Sequence, residues 1–132
     1  MTQLESVPLQ GGAELEDMTT REIARVMVKV QRLRRAKVTD LENLTVAQAR
    51  AKKEATVAHA RAFLDIEGRP QEERTQTAKL AAADAVFTAD VAKSKVDACK
   101  TSMDILKDDW DTCRSIGANE RAQASAVEGY GA

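Results

Sequence analysis

The chain has 132 residues and a mass of 14.4 kDa, with 20 Lys+Arg against 21 Asp+Glu, one His and a formal net charge of −1. Only 3% of the residues are aromatic and alanine makes up much of the 43% that are hydrophobic, which argues against a compact globule with a thick core and for long helices with a thin seam. No apolar run approaches the roughly 18 residues of a membrane span. Residues 1–9 show no secretory signal, and two cysteines exclude a disulfide framework, so a reducing cytoplasm is the expected compartment.

Residues 1–18 read as a poorly ordered acidic arm, broken by Pro8 and Gly11-Gly12. Thr19-Thr20-Arg21-Glu22 then forms a capping box, with Met18 and Ile23 placed to close a hydrophobic staple. From there to Glu67 no Pro or Gly occurs, so a single helix of about 72 Å is possible. Its apolar positions run Ile23, Met27, Val30 and Leu33 or Arg34, fade at Lys37, and resume as Leu41, Leu44, Gln48, Ala51, Ala55, Ala58, Ala62 and Ile66. Thr39-Asp40-Leu41-Glu42 is a second capping box at the weak point, so either a continuous helix or a break near 38–40 fits.

Gly68-Arg69-Pro70 ends this element, Gly suiting the position past a helix C-terminus and Pro the start of the next. Glu72 and Glu73 sit where the helix dipole favours negative charge. The second helix is more regular. Ala78, Ala82, Ala85, Ala89, Ala92, Val96, Cys99, Met103, Leu106, Trp110, Cys113 and Gly117 step by four and three without a miss, a coiled-coil seam. Gly117 is expected to end it and residues 118–132 to form a tail.

Two such helices joined by a short turn are expected to run antiparallel. A register in which paired positions sum to about 140 sets Ala58 by Ala82, Ala51 by Ala89, Val30 by Trp110, Met27 by Cys113 and Ile23 by Gly117. The expected fold is therefore all-α: a long antiparallel helical hairpin over residues 19–117 with coiled-coil packing, its turn near 68–70. A hairpin buries one stripe per helix and is marginal alone. The flanking apolar positions Val26, Val38, Leu64, Phe87, Val91, Ile105 and Ile116 are the expected interface of a homo-oligomer.

The near-neutral total hides segregation, with bases dominating residues 21–61 and acids the flanks. Arg25, Lys29, Arg32, Arg34, Arg35 and Lys37 include no acid among them, and Arg25, Lys29 and Arg32 share a helical face. Such a stripe is suited to neutralising successive phosphates of a nucleic acid. Asp108-Asp109-Trp110-Asp111 is equally placed to neutralise it within the hairpin, and both readings stand at this point. Arg50, Lys52, Lys53 and Arg61 form a second basic group with fewer acidic neighbours. Asp90, Asp97, Asp104 and Asp111 each precede Lys93, Lys100, Lys107 and Arg114 by three residues, which predicts a ladder of surface ion pairs.

No constellation for catalysis, metal or cofactor is visible, so no enzyme is expected. His59 stands alone in an alanine-rich helix, and Cys99 and Cys113 are seam residues about 21 Å apart along it. Trp110 is expected to fill the wide end of the hairpin. The scarcity of aromatics predicts mainly electrostatic, salt-sensitive contact with any DNA.

Residues 58–110 resemble the UvsY-like recombination mediators of T-even phages. The resemblance is carried by Ala62-Phe63-Leu64-Asp65 before Gly68-Arg69, by Val86-Phe87-Thr88-Ala89-Asp90, by Lys95-Val96-Asp97, and by Ile105-Leu106 with Asp108 behind them. It implies a non-enzymatic, oligomeric helical protein that binds single-stranded DNA. Such a protein helps load a RecA-like recombinase onto strands held by single-strand-binding protein, here in an infected bacterial host. The family's basic pair ahead of the Leu-Asp corresponds to Arg61 and Phe63, and Phe63 departs from it by lacking a charge. The alternative is a structural coiled-coil protein, a virion, scaffolding or adaptor component that binds no nucleic acid.

Overall fold

The structure, a computed structural model, describes residues 18–131, with side chains as far as residue 126. The expected arm thus lies outside the described residues apart from Met18. The described residues form three helices that pack together, without a strand: α1 (Thr20–Asp65), α2 (Gln71–Ala81) and α3 (Ala83–Gly131). None of these is long and apolar enough to cross a membrane.

The start of α1 is the predicted capping box. The Thr19 hydroxyl accepts from the Glu22 N–H at 3.3 Å, and the Glu22 carboxylate accepts from the Thr19 N–H at 3.4 Å. Two of the N–H groups that a helix start leaves unpaired are thereby satisfied. Met18 packs against Ile23, closing the staple. α1 then passes through residues 38–40 without a break. The second capping motif starts nothing, because with no Pro or Gly nearby the continuing backbone ladder costs less than ending a helix and nucleating another.

Gly68 closes the turn with φ +91°, and it is the only described residue outside the negative-φ region. A Cβ there would meet nothing within 4 Å, so its requirement is purely conformational. Pro70 takes the N-cap position of α2, one residue earlier than a helix-starting proline, and Glu72 and Glu73 fill the first turn as predicted. An unanticipated clamp joins the two helices. The Arg74 guanidinium donates from Nε and Nη2 to the Phe63 carbonyl at 3.3 and 3.1 Å, and it lies 4.1 Å from the centre of the Phe63 ring. Phe63 is in the last turn of α1, which carries no basic residue of its own, so α2 supplies the cation that this helix end favours.

The second helix of the sequence reading is divided at Ala82 (φ −92°, ψ 0°), which is fully buried. Bonds from the Ala82 N–H to the Ala78 carbonyl (3.0 Å) and from the Val86 N–H to the Ala82 carbonyl (2.9 Å) carry the ladder across it, so this is a local distortion. At the far end the expected stop is absent: α3 continues through Gly117 to Gly131. A mid-helix glycine costs only about 0.5–1 kcal/mol relative to alanine. The good helix formers that follow, Ala118, Glu120, Arg121, Ala122, Gln123 and Ala124, offset it.

The chain divides into two units, one built from α1 up to Lys37 with α3 from Ser102, the other spanning Val38–Thr101. In the second, the buried residues are Ala51, Ala55, Ala78, Ala82, Val96 and Cys99. In the first, Val30 and Leu106 form a core flanked by Val26, Leu33 and Trp110, and Ile23 and Cys113 form another flanked by Met18, Val26, Met27 and Ile116. Every predicted seam position from Ala78 to Gly117 is buried or half-buried. The Ile23–Cys113 core takes in Met27 and the Val30–Leu106 core takes in Trp110, so the expected partners Met27 and Cys113, and Val30 and Trp110, fall in the same clusters. The Thr20 hydroxyl also donates to the Glu120 carboxylate.

Arg74→Ala should lower stability by about 1–2 kcal/mol, within the range for hydrogen bonds to charged groups. Arg74→Lys should recover little of it, since an ammonium provides neither the paired donors nor the flat stacking surface. Urea denaturation of the three proteins measures both effects.

Candidate nucleic-acid interface

The basic run lies on α1 within the first unit. Arg25, Arg32 and Arg35 are exposed and Lys29 and Arg34 half-buried, as expected of long side chains that lay their stems on apolar surface and keep the charge in water. Among the described residues, none of these five lies within 4.0 Å of a carboxylate oxygen. Asp108 and Asp111 remain exposed and Asp109 half-buried without closing on them. Asp is short, and an exposed ion pair gains too little to hold two side chains in place. The same reason accounts for a second departure from the sequence reading. None of the four Asp–Lys/Arg steps on α3 closes an ion pair within 4.0 Å, whereas Arg69 and Glu73 pair at 2.7 Å.

Arg50, Lys52, Lys53 and Arg61 are all exposed, in the Val38–Thr101 unit, and lie outside ion-pair distance of any carboxylate among the described residues. Thr56 beside them donates its hydroxyl to the Lys52 carbonyl at 3.0 Å, the usual way a mid-helix threonine is satisfied. Phe63 is occupied by Arg74, so the position where the resembled family has a second base is part of a helix clamp here. His59 is half-buried, and the described residues hold no group of three potential metal ligands.

Trp110 is half-buried. It flanks the Val30–Leu106 core, with the Arg34 guanidinium 5.8 Å from its ring centre. Together with Met27, Val28, Gln31, Arg32 and Arg35 it lines an open groove of about 360 Å³. Residues 28, 31, 32 and 35 share one face of α1 by helical spacing, which places two guanidinium groups along an apolar floor. Neither this groove nor the Arg74 clamp was anticipated. The available signal for the groove was an exposed-face valine and glutamine set among arginines.

Two groups beside this site are perturbed. Asp109 has its carboxyl pKa raised, first by burial and then by the neighbouring Asp108 charge. The Cys113 thiol is pushed up by burial and secondarily by Asp109. Both cysteines are free and buried, in keeping with their placement in the seam.

Of the expected interface residues, Leu64 (64% exposed), Phe87 (69%) and Ile105 (56%) are open, as are Val38 and Val91. Val26 and Ile116 are partly covered within the chain itself, by the two cores of the first unit. Leu80, at 79%, is more exposed than any of the expected set.

No family model matches the chain, and no curated protein or solved structure matches it at significant similarity. What the described residues define is an all-helical protein with a basic face unpaired by close acidic partners.

The raised Asp109 pKa gives a pH prediction. A carboxyl whose pKa is higher folded than unfolded favours the folded state fully below the unfolded value, and that contribution is lost as pH rises through the folded one. Asp109→Asn should therefore raise the melting temperature at pH 7, by an equivalent of under about 1 kcal/mol because the group is only half-buried. The advantage should shrink as pH falls below the usual Asp range, which thermal melts at pH 7 and pH 3 test.

Proposed function

We propose that the chain is a non-enzymatic, oligomeric single-stranded-DNA-binding protein. Its role is to assist loading of a RecA-like recombinase onto strands held by single-strand-binding protein, in phage recombination and repair, within the host cytoplasm. The observation that carries this reading is the set Arg25, Lys29, Arg32, Arg34 and Arg35, whose charges no carboxylate among the described residues approaches within ion-pair distance. A basic helical stripe with that freedom suits a phosphate backbone. The exposed Arg50, Lys52, Lys53 and Arg61 suit the same ligand, and the resemblance to the UvsY-like mediators supplies the recombination context.

The architecture proposed with it is a long antiparallel helical hairpin turning at Gly68 and assembling with further copies. Its supports are the four-three seam, the pairing of Ile23 with Cys113 and of Val30 with Leu106, and the exposed Leu80, Phe87 and Val91. Those same exposed apolar residues favour the second reading, a structural coiled-coil component without nucleic-acid binding.

Fluorescence anisotropy with a labelled oligo(dT) separates the two. Low-micromolar binding that weakens steeply with salt is expected, and no binding at low salt removes the first reading. The double substitution Arg25→Gln/Arg32→Gln should reduce the slope of log K against log salt by about 1.4, from roughly 0.7 per phosphate contact on a single strand. Sedimentation equilibrium tests the assembly: Phe87→Glu should dissociate the oligomer while leaving helix content unchanged, and a wild-type monomer at every concentration would remove the oligomer.

A further inference from the structure

We infer that the groove beside Trp110 is a nucleotide subsite, in which one base of a single strand lies against the indole while Arg32 and Arg35 hold the adjoining phosphate. This rests on the single-stranded-DNA reading and adds to it a specific, partly apolar contact where composition alone predicts electrostatics only.

The groove's apolar lining is Met27, Val28 and Trp110, and Val28 is 61% exposed. An apolar, aromatic floor open to water favours an occupant with a flat apolar part. The rim is cationic. Arg32 and Arg35 stand one helical turn apart, and neither has a carboxylate within ion-pair distance among the described residues. Guanidinium forks match phosphate oxygens in shape as well as charge. Gln31 also lines the groove, with an amide that both donates and accepts, the equipment for the edge of a base. About 360 Å³ falls within the range of small-molecule sites.

Charge and shape together select the occupant. It must be anionic at one end and planar and apolar at the other, with the two parts close together, which describes a nucleotide. A duplex keeps its bases stacked inside, so the base is available only from a single strand. The Arg34 guanidinium lies 5.8 Å from the indole centre, within cation–π range, and adds a third cation beside the groove.

Trp110 is the only tryptophan, so the intrinsic emission of the full chain reports on this groove directly. The chain is titrated with oligo(dT), with an abasic oligonucleotide of the same length, and with an acidic peptide ending in phenylalanine; anisotropy of labelled versions gives the affinities. Oligo(dT) is expected to quench the emission, whereas the abasic strand binds with little quenching. Trp110→Leu should weaken oligo(dT) binding roughly tenfold, the scale of one lost base–aromatic stack, and leave abasic binding unchanged. Trp110→Phe should restore part of the loss. A variant that merely misfolds loses both ligands equally, and that result overturns the assignment. Oligo(dT) binding with unchanged emission overturns the subsite and leaves the single-stranded-DNA reading standing. Failure of oligo(dT) to bind at all overturns both. Quenching by the acidic peptide that oligo(dT) does not relieve also overturns it, assigning the groove to a protein partner.

Discussion

A thin seam of small residues is the constraint on which everything else in this protein depends. Its buried side chains are Ile23, Val30, Ala51, Ala55, Ala78, Ala82, Val96, Cys99, Leu106 and Cys113, and no polar or charged residue is buried among those described. Small side chains allow helices close approach but offer little area each, so the interaction must be repeated over many turns to outweigh the entropy of ordering the chain. That requirement explains the length of α1 and α3. It also explains why Thr39-Asp40 lies inside a helix: stopping there would forfeit seam contacts worth more than a local cap.

A one-sided seam leaves every charge outside it. With 31% of the residues charged, the surface carries both signs in high dielectric, where a contact pair gains almost nothing and the net field of a segment matters more. This is why neither the acidic cluster at 108–111 nor the Asp–Lys steps of α3 close into ion pairs among the described residues. Arg25, Lys29, Arg32, Arg34 and Arg35 on α1 are left without a carboxylate within 4.0 Å among the described residues. Where charge does make a structural contact, at Arg74, it does so against a helix-end carbonyl and an aromatic ring, both of which hold the guanidinium's plane.

The groove at Trp110 follows from the same constraint. The indole of Trp110 is half-buried against the Val30–Leu106 core and lines the groove as well. The four-three spacing includes position 110 as it does its neighbours, and periodicity alone does not distinguish a fully buried seam residue from one that also lines a groove.

Much of this was legible in the residues themselves, because it depends on contacts between near neighbours in the chain. The capping box at Thr19 and Glu22, the staple from Met18 to Ile23, the left-handed turn at Gly68 and the burial of each seam position are decided by local spacing and backbone sterics. So is the all-helical class, which alanine and the absence of Pro and Gly in residues 19–67 dictate. Tertiary structure decided the rest. Arg74 and Phe63 are eleven residues apart and meet only because the Gly68 turn brings them together. Which residues of α3 share a core with Ile23 and Val30 depends on how side chains of different volume interlock across two helices. Whether the arginines of α1 face a carboxylate depends on that packing in turn. A sequence states which residues carry charge and bulk; only packing in three dimensions determines which of them are left without a partner.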